Sequence, residues 1–163
     1  MFKKRSFCFF KRLKNRKGFT LTEVIVILSI LGIMMAISIP SFISWLPRHR
    51  LQTSTRQIYD DLNLAKIRAV RANIDSCITF NVGNDNYTVF LDVNGDSTYT
   101  NGVDTLIKGP VALENGVNIT AANTCGFNNR GMSTAGVTQV SLTNPTGVVT
   151  NVNVNTVGNI TVS

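Results

Sequence analysis

Apolar side chains fill almost every position from Val24 to Trp45. They return at every third or fourth residue between Leu51 and Ala69, and they cluster in short β-branched and aromatic runs after Ser76. Each pattern predicts a different element. The first run is long enough, at about 1.5 Å per residue, to cross a bilayer core of about 30 Å. In the second, Leu51, Thr55, Ile58, Leu62, Ala65 and Ala69 step by three and four and so share one helical face. The stretch RQIYDDLNLAKIRAVRAN has neither Gly nor Pro and reads as helix, with Asn73 and Asp75 marking its end. Arg56 and Asp60 stand four apart on its exposed side, placed for an ion pair. Joined, the two patterns predict one helix of about 55 residues, on the order of 80 Å long. Gly32, Pro40 and Pro47 are where it should kink or loosen.

The third pattern predicts strands. CITFNV, YTVFLDV, DTLIK, GVNIT, TQVSL, GVVTNVNV and GNITV are separated by the turn-forming stretches GNDN, NGDS, TNG, ENG and NPTG. No second helical pattern follows. The fold class is therefore α+β: a long N-terminal helix whose second half packs on a mostly antiparallel β-sheet.

Charge changes this picture at one end only. The chain carries +7, but residues 1–18 alone hold eight Lys or Arg and no acid, leaving −1 for the remainder. Such a cluster beside a membrane-length segment stays cytoplasmic, which places everything after Trp45 outside. The basic balance thus speaks of orientation rather than of nucleic acid. A secretory signal peptide is the rival reading, but the apolar run is too long for one and no small-x-small site closes it.

Within the otherwise uncharged stretch from Phe19 to Pro47 stands a single acid, Glu23. A carboxylate in a membrane-length helix is costly and calls for a partner and a purpose. The segment GFTLTEVIVILSILGIMMAISIP at 18–40 resembles the class III signal sequence of type IV pilins and type II secretion pseudopilins. RLQTSTRQIYDDLNLAKIRAVRAN at 50–73, YTVFLDVNGDSTYTNGVDTLIK at 87–108 and GFNNRG at 126–131 resemble the GspH/FimT group of minor pilins and pseudopilins.

The resemblance implies a cleaved basic leader at 1–18, a transmembrane and filament-core helix at 19–45, an amphipathic helix at 46–75 and a β-rich periplasmic or extracellular domain at 76–163. It implies cleavage by prepilin peptidase between Gly18 and Phe19, N-methylation of Phe19, and bending at Pro40. Its partners are that peptidase, other pilins in a helical filament, an inner-membrane assembly platform and membrane lipid. Glu23 would meet the N-terminal amine of a neighbour's Phe19 and set the register between subunits, each charge offsetting the other's desolvation. The alternative is a shallow, hydrated Glu23 near the headgroups. A minor subunit is implied, with a DNA-binding minor pilin for natural transformation or a major pilin as the other members of the family to consider.

Candidate chemistry beyond this is sparse. Cys77 and Cys125 lie outside the membrane by this topology and are expected to pair. Closing a loop of about 49 residues is worth roughly 4 kcal/mol; the other possibility is two buried thiols. Asp92, Asn94 and Asp96 have the opening spacing of a calcium loop, but Gly95 and Val103 stand where that loop needs other residues, and an Asn-Gly turn explains them as well. Arg48, His49 and Arg50 follow the apolar run and suit lipid phosphates, acids of a neighbour, or solvent. No catalytic triad, metal-ligand spacing or phosphate-binding glycine loop is present, so no enzyme, cofactor or metal is implied. DNA binding would need Lys or Arg. Residues 131–163 contain no charge, which leaves Arg130, Lys108 and the helix arginines for that role.

Overall fold

The computed structural model describes residues 18–163. One helix, α1 (Leu21–Ala72), is followed by eight strands: β1 (Ser76–Asn81), β2 (Asn86–Leu91), β3 (Thr105–Ala112), β4 (Asn118–Ala122), β5 (Cys125–Phe127), β6 (Thr138–Thr143), β7 (Val149–Val154) and β8 (Ile160–Val162). The chain divides into a unit ending at Pro40 and a unit spanning Ser41–Ser163.

In the first unit the large apolar side chains from Leu21 to Ile39 are exposed. The helix includes Gly32, Pro40 and Pro47 without a break. Each proline withholds an N–H from the ladder, and side-chain hydroxyls supply extra bonds along this stretch. Ser29 Oγ donates to the Ile25 carbonyl and Ser38 Oγ to that of Met34.

The second unit is built on the stripe the sequence predicts. Leu51, Thr55, Ile58, Leu62, Ala65 and Ala69 are all buried. All but Thr55 share one hydrophobic core with Ile78, Tyr87 and Val89, with Val117 and Ile119, and with Cys125, Phe127, Val140, Leu142, Val152 and Val154. The helix ends at Ala72, where the sequence places its stop: Asn73 takes φ of 55°, the left-handed turn that closes a helix C-terminus.

The strands form two antiparallel sheets rather than one. Their orders are β3-β2-β1-β5 and β4-β6-β7-β8. Alternation is clean in β6 and β7, where Val140, Leu142, Val152 and Val154 point inward between polar neighbours. Strand β3 continues past Lys108, where a proline would be expected to end it. It is an edge strand, so Pro110 costs no ladder bond, and a bulge opposite Tyr87–Val89 brings Gly109 against Thr88. A Cβ on Gly109 would stand 2.9 Å from the Thr88 Cα, and its φ is 128°.

Candidate functional site

The N-terminal segment begins in non-helical backbone. Gly18, Phe19 and Thr20 precede α1 and are exposed, so the Gly18–Phe19 bond lies outside the helix and a Cβ at Gly18 would meet nothing within 4 Å. Thr20 is the helix N-cap. Its Oγ1 accepts the Glu23 N–H at 3.3 Å, and its carbonyl accepts the first helical bond from Val24 at 3.2 Å. Thr20-Leu21-Thr22-Glu23 thus has the T-x-x-E spacing of a capping box, and Glu23 sits in the first turn, where the helix dipole favours an anion. Sequence reasoning found the acid but not the cap. The T-x-x-E spacing is the signal, overlaid by the apolar pattern of the segment.

Across the second unit, the expected Arg56–Asp60 pair does not form. The ion pair found among the described residues is Asp61 with Lys108, which tethers α1 to β3. Lys108 Nζ donates to both Asp61 oxygens at 2.8 and 2.7 Å, and the Tyr87 hydroxyl of β2 donates to Oδ2 at 2.6 Å. The Asp61 side chain is 7% exposed and that of Lys108 41%. Burial, reinforced by the adjoining carboxylate, pushes the Tyr87 hydroxyl well above its ordinary pKa. Nothing near Asp61 in sequence announces its partners, which lie 26 and 47 residues away.

The disulfide does not form. Cys77 and Cys125 are both free and buried, although β1 and β5 are neighbours. Register is the reason: Cys77 stands opposite Gly126, and Cys125 opposite Ile78. A one-residue offset sends the two sulfurs to opposite faces of the sheet. Cys125 joins the main core. Cys77 lies on the other face, and its Sγ is 3.8 Å from Asp92 Oδ2. A Cβ at Gly126 would strike Thr134 Oγ1 and crowd Cys77 Sγ at 3.1 Å, so glycine makes room for that hydroxyl first and for the thiol beside it. Burial, with the carboxylate of Asp92 adding to it, pushes the Cys77 thiol up to about 12, and burial raises that of Cys125.

The loop between β2 and β3 spends its acids on its own backbone. Asp92 accepts the N–H groups of Gly95 and Ser97, Asp104 those of Val93 and Thr100, and Asp96 that of Thr98. Phe90, buried on the same face as Cys77, meets Tyr99 of this loop edge-on at 5.5 Å. The carboxylates are therefore turn-builders holding a cover over the outer face of the sheet, and the described residues contain no cluster spaced to hold a metal ion.

The GFNNRG element packs at the end of α1. Asn129 Nδ2 donates to Asn73 Oδ1 at 2.9 Å, and a Cβ on Gly131 would strike the Lys66 side chain. Lys66 Nζ donates to the Gly158 carbonyl at 2.9 Å. Of the cations a nucleic-acid surface would need, Lys108 is thus bound to Asp61 and Lys66 to Gly158. Arg68, Arg71 and Arg130 are exposed.

Comparison with known proteins matches two separate stretches of the chain. Residues 13–39 match the prokaryotic N-terminal methylation motif, and residues 54–158 match the type II transport protein GspH family. No curated protein matches the chain by sequence. Among solved structures, the type IV minor pilin FimU of Pseudomonas aeruginosa aligns with a TM-score of 0.56 at 14% identity, over 71% of this chain and 90% of its own. The minor pseudopilin EpsH of the Vibrio cholerae type 2 secretion system aligns with a TM-score of 0.55 at 13% identity, over 70% of this chain and 96% of its own. These likenesses establish a shared pilin-like fold, a long helix on antiparallel sheets. With the GspH match covering most of its length and the methylation motif preceding it, the chain belongs to the GspH family of minor pilins and pseudopilins.

Proposed function

We propose that the chain is a minor pilin or pseudopilin, a structural subunit with no catalytic role. It is stored in the inner membrane with its N-terminus in the cytoplasm and the Ser41–Ser163 unit on the periplasmic side. Prepilin peptidase cuts between Gly18 and Phe19 and methylates the new amine of Phe19. The mature chain then joins a type IV pilus or type II secretion pseudopilus through the apolar half of α1 and helps assemble it. Glu23 sets its register there by pairing with a neighbour's N-terminal amine.

One observation carries this reading: a methylation motif over 13–39 and a GspH domain over 54–158 stand in one chain. Two features of the site support it. The Gly18–Phe19 bond is in non-helical, exposed backbone that a protease can enter. Glu23 stands in the first helical turn, one turn from the amine that cleavage would create, so the same residue in a staggered neighbour is within reach of a short axial shift.

The test has two parts. Mass spectrometry of the protein purified from cells with and without the peptidase should show a chain starting at methylated Phe19 only in the first. A deletion strain should lose surface pili, twitching or secretion. Loss of DNA uptake with pili intact would favour a DNA-binding subunit instead.

A further inference from the structure

Three aromatic side chains close the apolar run on one side of α1. Phe42, Trp45 and His49 are spaced by three and four residues and so share a helical face. The Phe42 and Trp45 rings lie 5.9 Å apart, and Trp45 and His49 stack at 4.6 Å with planes 14° apart. All three are exposed, Trp45 by 51%. The stack lies outside the core of its unit, whose helical members begin at Leu51.

Two arginines flank the stack with different duties. Arg50 Nη1 donates to the Asn115 carbonyl at 3.1 Å and is tied to the loop before β4. Arg48, three residues on from Trp45, is exposed. Its guanidinium has no ion-pair partner among the described residues. No acid lies between Glu23 and Asp60 in sequence, and Glu114, beside Asn115, pairs with neither arginine. The face therefore combines amphipathic rings with an uncompensated positive charge.

We propose that Phe42, Trp45, Arg48 and His49 form a headgroup site for an anionic phospholipid where α1 leaves the bilayer. The Trp45 ring suits the boundary between acyl chains and headgroups, where its body is apolar and its indole N–H finds an acceptor. Arg48 offers a planar fork that takes a phosphate through two hydrogen bonds. His49, held flat against Trp45, supplies a further ring N–H. The occupant is a lipid because the face continues the apolar run from Val24 to Trp45, and the site rests on the reading of that run as membrane-spanning.

Trp45 is the only tryptophan in the chain, so its fluorescence reports on this face alone. The full chain is reconstituted in phosphatidylcholine vesicles carrying an equal mole fraction of acyl-brominated phosphatidylglycerol or phosphatidylcholine. Brominated lipid quenches tryptophan on contact. The brominated anionic lipid should be enriched about fivefold at Trp45, the effect of about one surface cation. The preference should vanish in Arg48→Gln and weaken in His49→Gln, with both variants still inserted. Equal quenching by the two lipids, or an unchanged preference in Arg48→Gln, overturns the site while leaving the membrane reading intact. A chain that is quenched by neither lipid and floats free of the vesicles overturns both.

Discussion

The two halves of α1 are both rich in apolar residues and meet opposite fates. From Leu21 to Ile39 the large apolar side chains are exposed, whereas Leu51, Ile58, Leu62, Ala65 and Ala69 are all buried at 2% or less. Their arrangement, more than their hydrophobicity, separates them. A helix that is apolar all round needs an apolar medium on every side, which a single domain cannot supply; one with a stripe needs only a sheet. The first half keeps one acid at its capped end, and the second buries an acid only where a lysine and a tyrosine meet it.

The sharpest way to test this contrast is to cut the same side chain from each half. Leu62→Ala should destabilise the folded unit by about 2–5 kcal/mol, as a cavity in a closed core does. Leu31→Ala should change it by less than about 0.5 kcal/mol. Chemical denaturation of the full chain in detergent measures both, and equal effects would break the distinction.

A smaller loss is expected at Asp61. Asp61→Ala leaves the Tyr87 hydroxyl without its acceptor, while the half-exposed Lys108 turns to water, so about 1–3 kcal/mol should be lost by the same measurement. Tyr87→Phe with Asp61 intact should cost less than Asp61→Ala.

The raised proton affinities of Tyr87, Cys77 and Cys125 set a pH window. Each group holds its proton more tightly folded than unfolded, so the stabilisation is complete below the unfolded pKa values, about 8.5 for a thiol and 10 for a tyrosine. It is lost as pH rises through the folded ones, with Cys77 at about 12. Denaturation midpoints should therefore be insensitive to these groups up to about pH 8 and fall steadily above it, and Cys77→Ala should flatten part of that fall.

The smallest expected effect is none at all. Because the two thiols are on opposite faces, a reducing agent should leave the melting temperature unchanged. Thiol titration of the unfolded, unreduced protein should find both Cys77 and Cys125 free. A drop in stability on reduction would restore the disulfide.

Much of this was legible in the residues. The buried stripe followed from steps of three and four, and seven of the eight strands from runs of β-branched and aromatic residues between turns. Strand β5 is three residues long with a central glycine, too short to show a period. The division into two sheets depends on pairings between distant segments, which alternation does not encode. Counting cysteines suggested a bond that register forbids, and register is a property of two strands together. The burial of Asp61 was hidden for the same reason, since its partners come from β2 and β3. At the start of α1, Thr20 and Glu23 carry the T-x-x-E signal of a cap, set among apolar residues whose membrane pattern overlies it.

On the proposed function, the exposed apolar half of α1 packs into the filament and Glu23 keys that packing. Its most direct test is to express Glu23→Val beside the wild type and compare cleavage by mass with abundance in sheared filaments. The mutant should be cut after Gly18 as usual yet be depleted from filaments by roughly tenfold or more, the effect of losing about 1.4 kcal/mol of pairing. Glu23→Val entering filaments at the wild-type level would contradict the account.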